Sequence, residues 1–318
     1  MGLNQLDDLP IDVTSGNLAD DTTSVTPENF PDDLKMWLEK LAPLNIDFVI
    51  QGETGTGKDT FARTLYELSD CDGPFIGINC AAIPESLAEN EFFGSVAGAF
   101  TGSIKARIGH IESATNGILF LDEIDSMPLS LQAKLLRVLE TRSVMRLGST
   151  ESVPVNIRVI GAAQRPLSVL VEEGAFRSDL YFRLSTVKIS LPSLRDCVAN
   201  IIPQFRRFAM DAALQYVRPL PPLNQALTES LLMHRWPGNM RELKAAAVRF
   251  VLGLPVLDNT RPASVSWTLR DRMNRIENCL ITDCLQRHNN QVNDAAEELG
   301  IPSRTLYNKL KALNEIEK

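Results

Sequence analysis

The segment GETGTGKDT, residues 52–60, has the residue types and spacing of a phosphate-binding loop. The general pattern is G-x-x-x-x-G-K-[ST], in which backbone amides surround the phosphates and the lysine reaches the β- and γ-phosphates. Gly52, Gly57 and Lys58 stand at the required positions, but Asp59 replaces the hydroxyl that normally binds Mg²⁺. We predict a nucleotide site; the alternative is a glycine turn that merely precedes a helix. The predicted loop residues are Gly52, Glu53, Thr54, Gly55, Thr56, Gly57, Lys58 and Asp59.

A second candidate for nucleotide chemistry is the segment ILFLDEID, residues 118–125. Four apolar residues predict a buried strand, and two acids follow at its carboxyl end, where α/β sheets place their ligands. Beside a phosphate-binding loop, Asp122 is suited to hold Mg²⁺, and Glu123 is suited to polarise the attacking water. The alternative is an acidic loop that caps a strand and has no chemical role.

The elements around these segments follow the order that a phosphate-binding loop requires. A short apolar run, residues 46–50, leads into the glycine loop, and Phe61, Leu65 and Leu68 follow it at helical spacing. Further apolar runs alternate with helical stretches, which predicts an α/β fold whose parallel sheet is covered on both faces. These further runs are residues 75–79, 117–123 and 155–163.

The pattern changes near residue 191, after which the periodicity is helical only. A stretch containing Pro, Asn and Ser at 254–267 is typical of a linker. The predicted divisions are an acidic tail at 1–26, an α/β nucleotide-binding subdomain at 27–190, a helical lid subdomain at 191–253, the linker at 254–267 and a helix-turn-helix domain at 268–318.

Charge and cysteine content restrict the class of protein. The first 34 residues contain eight acidic and no basic side chains, so they account for the net charge of −8 and are expected to be disordered. The acidic balance therefore does not argue against nucleic-acid binding elsewhere in the chain. No apolar run is long enough for a bilayer, and no signal peptide is visible. Five scattered cysteines without a C-x-x-C pattern favour reduced thiols in the cytoplasm.

Several longer motifs resemble one family. GAFTGS at 98–103 is close to the GAFTGA signature of the AAA+ ATPases that activate sigma-54 RNA polymerase, and WPGNMREL at 236–243 extends the resemblance to roughly residues 27–318. The segment LDEIDSMPLSLQAKLLRVLETR at 121–142 is most similar to the HrpR/HrpS-type activators of type III secretion. The resemblance implies an AAA+ P-loop ATPase that uses ATP and Mg²⁺. In this family an acid normally follows the P-loop lysine, so Asp59 fits, and Mg²⁺ relies on Asp122 and the phosphates.

The resemblance also assigns roles to single residues. Asn79 matches the switch residue that holds the catalytic glutamate away from the water; the alternative is a strand-end asparagine that makes a turn. Arg177 and Arg183 match arginine fingers, which act on the nucleotide of a neighbouring subunit. Arg241 matches the second sensor of bound ATP.

One position departs from the family pattern. Most members have a Thr-Asn pair as the first sensor, where this chain has Ala163 and Gln164. Only Gln164 has a polar group that could sense the γ-phosphate. We therefore expect ATP binding, with hydrolysis that is slow or depends on a partner.

The segment GSVAGAFTGSIKAR, residues 94–107, interrupts the ATPase core. Glycines flank Phe100, and a lone aromatic on a flexible loop gains nothing from exposure to water. The resemblance implies that Phe100 and Thr101 contact the sigma factor; the alternative is that Phe100 packs back into the domain. Ser103 replaces the final alanine of the signature.

The segment at 290–313 has the pattern of a helix-turn-helix and resembles the Fis-type module of many sigma-54 activators. Gly300 suits the turn, while Leu306 and Leu310 would face inward. The opposite face predicts contacts with double-stranded DNA, and the alternative is an ordinary helical hairpin. The predicted DNA-binding residues are Arg304, Thr305, Tyr307, Asn308 and Lys309.

Three functions remain open from the sequence. The first is an ATP-driven activator of sigma-54 RNA polymerase; the second is a DNA-binding regulator or passive ring subunit with a weak ATPase; the third is a AAA+ remodeller of another kind. The tail is too short to fold as a sensing domain, so we expect control from outside the chain. A homo- or hetero-oligomeric ring with a paralogous activator and a separate anti-activator protein are the expected partners, with no membrane.

Overall fold

The computed structural model describes residues 30–99, 105–257 and 291–316. Between the last two ranges it also describes Met273, Glu277, Ile281, Cys284, Leu285 and His288.

The main sheet of the described chain has five parallel strands in the order β2-β5-β8-β1-β9. Two short antiparallel pairs, β3 with β4 and β6 with β7, stand apart from it. The predicted parallel α/β sheet is therefore confirmed, with β9 as an edge strand that the sequence analysis did not predict. The strands are β1 (Phe48–Gln51), β2 (Phe75–Asn79), β3 (Gly94–Ser95), β4 (Arg107–Ile108), β5 (Ile118–Asp122), β6 (Ser143–Met145), β7 (Ser152–Pro154), β8 (Arg158–Ala163) and β9 (Lys188–Ser190).

Helices follow most of the main strands, as parallel connections require. The helices with described bounds are α1 (Asp32–Leu41), α2 (Lys58–Leu68), α3 (Glu85–Phe93), α4 (His110–Ser113), α5 (Leu129–Thr141), α6 (Leu167–Glu172), α7 (Ser178–Leu184), α8 (Val198–Gln215), α9 (Gln225–Met233), α10 (Asn239–Val251), α11 (Val292–Glu298) and α12 (Ser303–Ile316).

Alternate residues of the strands face two separate cores. Phe120 of β5 packs with residues of α1 and α2 on one face, whereas Leu119 and Leu121 pack with α3, α5 and α7 on the other. Burial on both faces explains why these strands are continuous apolar runs in the sequence. The carboxyl ends of β1, β2, β5 and β8 consequently meet at one edge, where the predicted nucleotide residues lie.

The chain after β9 is helical in its described part up to residue 257. Helices α8 and α10 pack against each other around the buried side chains of Phe205, Trp236 and Leu243. The last described unit has its own small core, in which Leu306 of α12 packs with Ala295 and Ala296 of α11. No helix among the described residues is long and apolar enough to cross a membrane.

Candidate functional site

The loop between β1 and α2 has the conformation that its glycines permit. Gly55 and Gly57 have φ angles of 77° and 96°, a region that side chains with a Cβ rarely adopt. A Cβ on Gly55 would lie 2.3 Å from the carbonyl oxygen of Gly238, so only glycine fits beneath the start of α10. The loop is thus packed against the helical lid as well as against its own sheet.

Lys58 begins α2 and points back into this loop. Its Nζ donates to the carbonyl oxygens of Gly52 and Glu53, at 2.8 and 3.0 Å. Burial lowers the pKa of Lys58, and the nearby carboxylates, of which Asp122 acts most strongly, oppose that shift. A buried ammonium that is bonded to carbonyl oxygens is well suited to an anionic ligand.

Asp122 ends β5 directly beside Asn79, the last residue of β2. Burial raises the pKa of Asp122, and the Lys58 ammonium opposes that rise. The structure therefore brings together the predicted phosphate-binding lysine and the predicted metal ligand at the carboxyl edge of the sheet. An oxygen ligand at this position fits Mg²⁺, which is held in such sites by one or two carboxylates and by phosphates.

Glu123 follows in the left-handed region, with φ 52°. Its Oε1 accepts a hydrogen bond of 3.0 Å from Nε2 of Gln164. The Oε1 of the same glutamine accepts a hydrogen bond of 2.9 Å from the Thr54 hydroxyl. The predicted catalytic acid is thus joined through one amide to the phosphate-binding loop, a contact that the sequence analysis did not foresee.

The described hydrogen bonds of the Asn79 side chain are made through its oxygen. Its Oδ1 accepts hydrogen bonds from the backbone amides of Ala81 and Ala82, at 2.9 and 3.1 Å. This is the geometry of a strand-end asparagine that stabilises a turn. The described side-chain partner of Glu123 is Gln164, so the switch role of Asn79 stays a prediction.

Asp59, the unusual residue of the loop, is paired within its own helix. Its carboxylate pairs with Arg63 one helical turn later, at 2.9 Å, and half of its side chain is exposed. Its place in the first turn of α2 also suits the helix dipole. This arrangement needs no metal ion, and the magnesium role of Asp122 stays a prediction.

The start of α10 closes over the loop from the lid side. The Met240 amide donates to the carbonyl oxygen of Gly55 at 2.9 Å, and the Arg241 Cβ lies 3.2 Å from where a Gly55 Cβ would be. Arg241 also contributes to the lowered pKa of Lys58, after burial, so its charge acts at the same site. Arg241 is therefore close to Lys58, and its role as the second sensor stays a prediction.

Two contacts of this region were missed by the sequence analysis. Glu53 forms an ion pair with Arg195, which lies in the loop before α8 and holds the pKa of the Glu53 carboxyl below its usual range. Buried Asn239 donates from Nδ2 to the carbonyl oxygen of Thr54 and accepts from the amide of Leu194. These residues are far apart in sequence, and only the motif WPGNMREL marked Asn239 as belonging to a functional segment.

Of the two predicted fingers, Arg177 caps the start of α7 and Arg183 lies in its last turn. Arg177 makes two hydrogen bonds to Asp179, at 3.1 and 2.7 Å, and is exposed. Arg183 pairs at 3.1 Å with Asp47, a buried acid that also binds Arg142. Asp47 precedes β1, so Arg183 reaches the sheet edge opposite to the nucleotide residues. Neither arginine contacts its own predicted ATP site in the described chain.

The predicted sigma-factor contacts, Phe100 and Thr101, lie outside the described residues, as does Ser103. The base of their loop is described, and it is joined to the turn between β6 and β7. The Leu147 amide donates to the carbonyl oxygen of Gly94 at 2.9 Å, and the Val96 amide donates back to that of Leu147 at 3.0 Å. The turn between β6 and β7 therefore supports the base of the loop that carries Phe100 and Thr101.

The C-terminal helices form the predicted turn between them. Gly300 has φ 64°, and the Ile301 amide closes the end of α11 on the carbonyl oxygen of Ala296 at 3.0 Å. Leu306 faces inward, while Lys309 pairs with Glu277 at 2.8 Å. The exposed predicted DNA contacts are Arg304, Thr305, Tyr307 and Asn308.

One group of possible metal ligands lies beside this unit. Among the described residues, Cys284, His288 and Glu298 bring one ligand atom each within 4.8 Å of the others. His288 already bonds Glu298 directly at 2.5 Å, and the Cys284 thiol donates to the carbonyl oxygen of Ala295 at 3.5 Å. These bonds join α11 to the preceding segment without an ion.

Comparison with protein families gives two matches. The family described as the sigma-54 interaction domain matches residues 28–190, and the bacterial regulatory proteins of the Fis family match residues 272–313. The two matches correspond to the nucleotide-binding sheet and to the helix-turn-helix.

Curated proteins similar to the chain include pathogenicity regulators. The probable regulatory protein WtsA of Pantoea stewartii is 56% identical, over 92% of this chain and 91% of its own length. The probable regulatory protein HrpS of Pseudomonas syringae pv. syringae is 51% identical, over 87% of this chain and 92% of its own length. The probable regulatory protein HrpR of the same organism is 50% identical, over 86% of this chain and 87% of its own length.

Among solved structures, the chain resembles NtrX from Brucella abortus in complex with ADP, at 29% identity and a TM-score of 0.67. The similarity covers 89% of this chain and 68% of that one. The ATP complex of the same protein gives the same identity and TM-score.

Proposed function

The chain belongs to the family of sigma-54-dependent transcriptional regulators with a Fis-type DNA-binding domain, and from this premise we propose that it is an ATP-hydrolysing activator. In this proposal it binds upstream DNA and remodels closed complexes of sigma-54 RNA polymerase. The observation that carries the proposal is the placement of Lys58, Asp122 and Glu123 around one glycine loop. These are the three groups that phosphoryl transfer to water requires.

Within the site, each residue has a role that fits its contacts. The amides of the 52–57 loop and the Lys58 ammonium would hold the phosphates of ATP, and Asp122 would hold Mg²⁺. When bound, Mg²⁺ would neutralise the negative charge that develops on the phosphates. Glu123 would polarise the attacking water, while Arg241 and Gln164 would sense the bound γ-phosphate. The ADP and ATP complexes of NtrX support nucleotide binding at such a site.

The mechanical output depends on the loop that carries Phe100 and Thr101. These residues would contact sigma-54, and the exposed side of α12 would bind DNA near the promoter. A single module of this kind has few base contacts, so avidity from several subunits would raise the affinity. The similarity to HrpS, HrpR and WtsA supports control of type III secretion genes as the biological output.

Subunit composition is part of the proposal. Arg177 and Arg183 make no described contact with their own nucleotide site, which suits fingers that act on a neighbour. The first sensor has only Gln164, so such a subunit would donate fingers well and hydrolyse its own ATP slowly. We therefore propose a mixed ring with a paralogous activator, restrained by a separate anti-activator protein; HrpS and HrpR from one organism are relatives that would form such a pair.

A second function is favoured by one observation. Ala163 ends β8 with a buried methyl group at the position where the family has a threonine, so the site lacks one polar group. This supports a DNA-binding regulator or passive ring subunit with a weak ATPase.

Open-complex formation separates the two functions. The full chain, alone and with a paralogue, is incubated with sigma-54 RNA polymerase and a supercoiled template, with ATP, with a non-hydrolysable analogue or without nucleotide. If the chain is an activator, open complexes should form only with ATP and should be absent with the Glu123→Gln variant. The Thr101→Ala variant should still hydrolyse ATP but should form no open complexes. DNA binding without any ATP-dependent open complexes, alone and in the mixture, would favour the passive subunit.

The mixed ring has its own test. ATP hydrolysis and open-complex formation are measured across protein concentration for the chain alone and for the equimolar mixture. We expect the mixture to exceed the sum of its parts. Full activity of the lone chain at equal total subunit concentration contradicts a required mixed ring.

A further inference from the structure

A thiol, an imidazole and a carboxylate converge in the C-terminal helical unit. The ligand atoms of Cys284, His288 and Glu298 all lie within 4.8 Å of one another. In a tetrahedral Zn²⁺ site with bonds of about 2.0–2.3 Å, neighbouring ligand atoms are about 3.3–3.8 Å apart. Small adjustments of these three side chains would therefore bring them around one ion.

The backbone holds the three side chains in pairs on facing helical turns. The His288 amide donates to the carbonyl oxygen of Cys284 at 3.1 Å, so these residues are one helical turn apart and on the same side. Glu298 follows Ala295 by three residues on α11, which places both on one face of that helix. The Cys284 thiol contacts Ala295, and His288 contacts Glu298, so the two turns meet along both pairs.

The donor set favours one class of ion. Thiolate and imidazole ligands suit Zn²⁺ and similar borderline ions, whereas Mg²⁺ and Ca²⁺ prefer oxygen alone. Cys284 is fully buried, while His288 and Glu298 keep about a third of their side chains exposed, so an ion could enter from their side. Three protein ligands leave the fourth tetrahedral position to a water.

The present bonds can be exchanged for metal ligation. The Cys284 thiol now donates to the carbonyl oxygen of Ala295 at 3.5 Å, and its proton would pass to solvent when the sulfur binds an ion. The ion would take the place between the His288 ring and the Glu298 carboxylate that their 2.5 Å hydrogen bond now occupies. A half-exposed pair of this kind contributes little stability by itself, so ligation loses little.

The size of the unit gives metal binding a structural purpose. Its described core is built from few large side chains, and Cys284 is itself one of the buried members, beside Ala295, Ala296 and Leu306. Small units with limited cores are commonly stabilised by a metal or a disulfide. Leu306 belongs to α12, so an ion that fixes α11 would also support the helix with the predicted DNA contacts.

We propose that Cys284, His288 and Glu298 form a Zn²⁺-binding site that fastens α11 to the preceding segment and stabilises the DNA-binding unit. The site is separate in sequence from the residues of the nucleotide site, and the inference does not rest on the proposed ATPase activity.

The test uses the untagged full chain with a phosphine reductant, and with ADP and Mg²⁺ present to occupy the acids of the nucleotide site. Zn²⁺ affinity is measured by competition with a chromophoric chelator. Co²⁺ is the spectroscopic probe, because a cobalt–thiolate bond gives a charge-transfer band that carboxylate and imidazole ligands do not. Hydrogen exchange with and without Zn²⁺ locates the effect along the chain.

The variants are Cys284→Ala, His288→Gln and Glu298→Gln. His234→Gln is the matched control, because His234 bonds Glu242 at 2.7 Å with similar exposure but belongs to no described ligand group. Cys197→Ala controls for removal of a thiol elsewhere.

We expect the wild type to show the cobalt–thiolate band and to gain protection from exchange in α11 and α12 when Zn²⁺ is added. Cys284→Ala should lose the band. Each ligand variant should weaken Zn²⁺ binding on the order of 10- to 100-fold or more, since even the loss of a hydrogen-bond partner behind a ligand costs that much. The two controls should match the wild type.

Several results would overturn the inference. They are the absence of a cobalt–thiolate band in the wild type, Zn²⁺ affinity of the ligand variants within about twofold of the wild type, and equal weakening by His234→Gln. Zn²⁺-dependent protection confined to other parts of the chain would also overturn it. If Cys284→Ala does not fold, His288→Gln and Glu298→Gln decide, because their side chains are partly exposed.

Discussion

The side-chain amide of Asn239 donates a hydrogen bond of 3.0 Å to the carbonyl oxygen of Thr54. The first residue of the lid helix α10 is therefore bonded to the middle of the phosphate-binding loop. The same side chain accepts from the Leu194 amide at 2.8 Å, so it joins the lid, the loop and the segment that connects them. Asn239 is fully buried and has φ 49°, a conformation that asparagine adopts more readily than most residues.

Asn239→Ala should therefore affect both stability and nucleotide affinity. It leaves the buried Leu194 amide without its acceptor, which costs about 1–3 kcal/mol, and it weakens the alignment of the loop. Thermal unfolding and ATPγS binding are the measurements. Asn224→Ala is the control, because Asn224 caps α9 by accepting from Leu227 and lies outside the site. It should lose about 1 kcal/mol of stability with unchanged affinity; equal affinity losses in both variants would contradict a specific role for Asn239.

Lys58→Ala should abolish ATP binding. The variant removes the buried ammonium that now bonds the loop carbonyls, and no other described cation reaches those two oxygens. Fluorescence titration with a nucleotide analogue measures the loss, and Lys40→Ala on α1 is an exposed control of the same type. Nucleotide affinity within about tenfold of the wild type would show that the loop amides alone hold the phosphates.

Asp122→Ala and Asp59→Ala should differ strongly in their dependence on Mg²⁺. Asp122 lies beside Lys58 at the sheet edge, whereas Asp59 is paired with Arg63 on the exposed side of α2. When Mg²⁺ is titrated at fixed ATP, the Mg²⁺ concentration that gives half-maximal ATP hydrolysis should rise strongly for Asp122→Ala and change little for Asp59→Ala. Equal shifts in the two variants would make Asp59 a metal ligand.

The fingers can be tested by mixing inactive subunits. Lys58→Ala keeps its fingers but has no nucleotide, whereas Arg177→Ala keeps its nucleotide but lacks a finger. If the finger acts on the neighbouring site, a mixture of the two should regain ATPase activity that neither has alone. No recovery at any ratio would contradict action between subunits.

Arg183→Ala should additionally lower the melting temperature, because Arg183 pairs with buried Asp47 at 3.1 Å. Arg177 pairs only with exposed Asp179 among the described residues, so Arg177→Ala should melt as the wild type does. Melting curves of the two variants are measured at protein concentrations too low for ring assembly. They separate the contribution of Arg183 to folding stability from its proposed role as a finger.

The DNA-binding face is tested by Arg304→Ala against Lys309→Ala. If Arg304 contacts a base edge, its loss should weaken specific binding by roughly 1–3 kcal/mol and leave non-specific binding nearly unchanged. Lys309 pairs with Glu277 at 2.8 Å, so its loss should affect all sequences alike and by less. Equal weakening by Arg304→Ala on specific and non-specific DNA would show a phosphate contact.

The sequence predicted the first four strands of the main sheet, because β1, β5 and β8 are buried apolar runs and each motif is local. The placement of Gly57, Lys58 and Asp122 on one sheet edge follows from strand order and parallel direction alone. The edge strand β9 was missed, since its three residues include only one buried side chain. The hydrogen bond from Gln164 to Glu123 was not predicted, because a motif identifies residues and not the bonds that they make.

What the sequence determined by itself is the local chemistry: a glycine loop that must take positive φ angles, a lysine at the start of a helix, and two acids after a buried strand. What only the tertiary structure decided are the pairings between distant segments. Gln164 with Thr54 and Glu123, Asn239 with Thr54, and Arg183 with Asp47 each join residues separated by 41 or more positions. Hydrogen bonds act over about 3 Å, so such choices depend on how the sheet and the lid bring backbones together, which residue spacing along the chain does not encode.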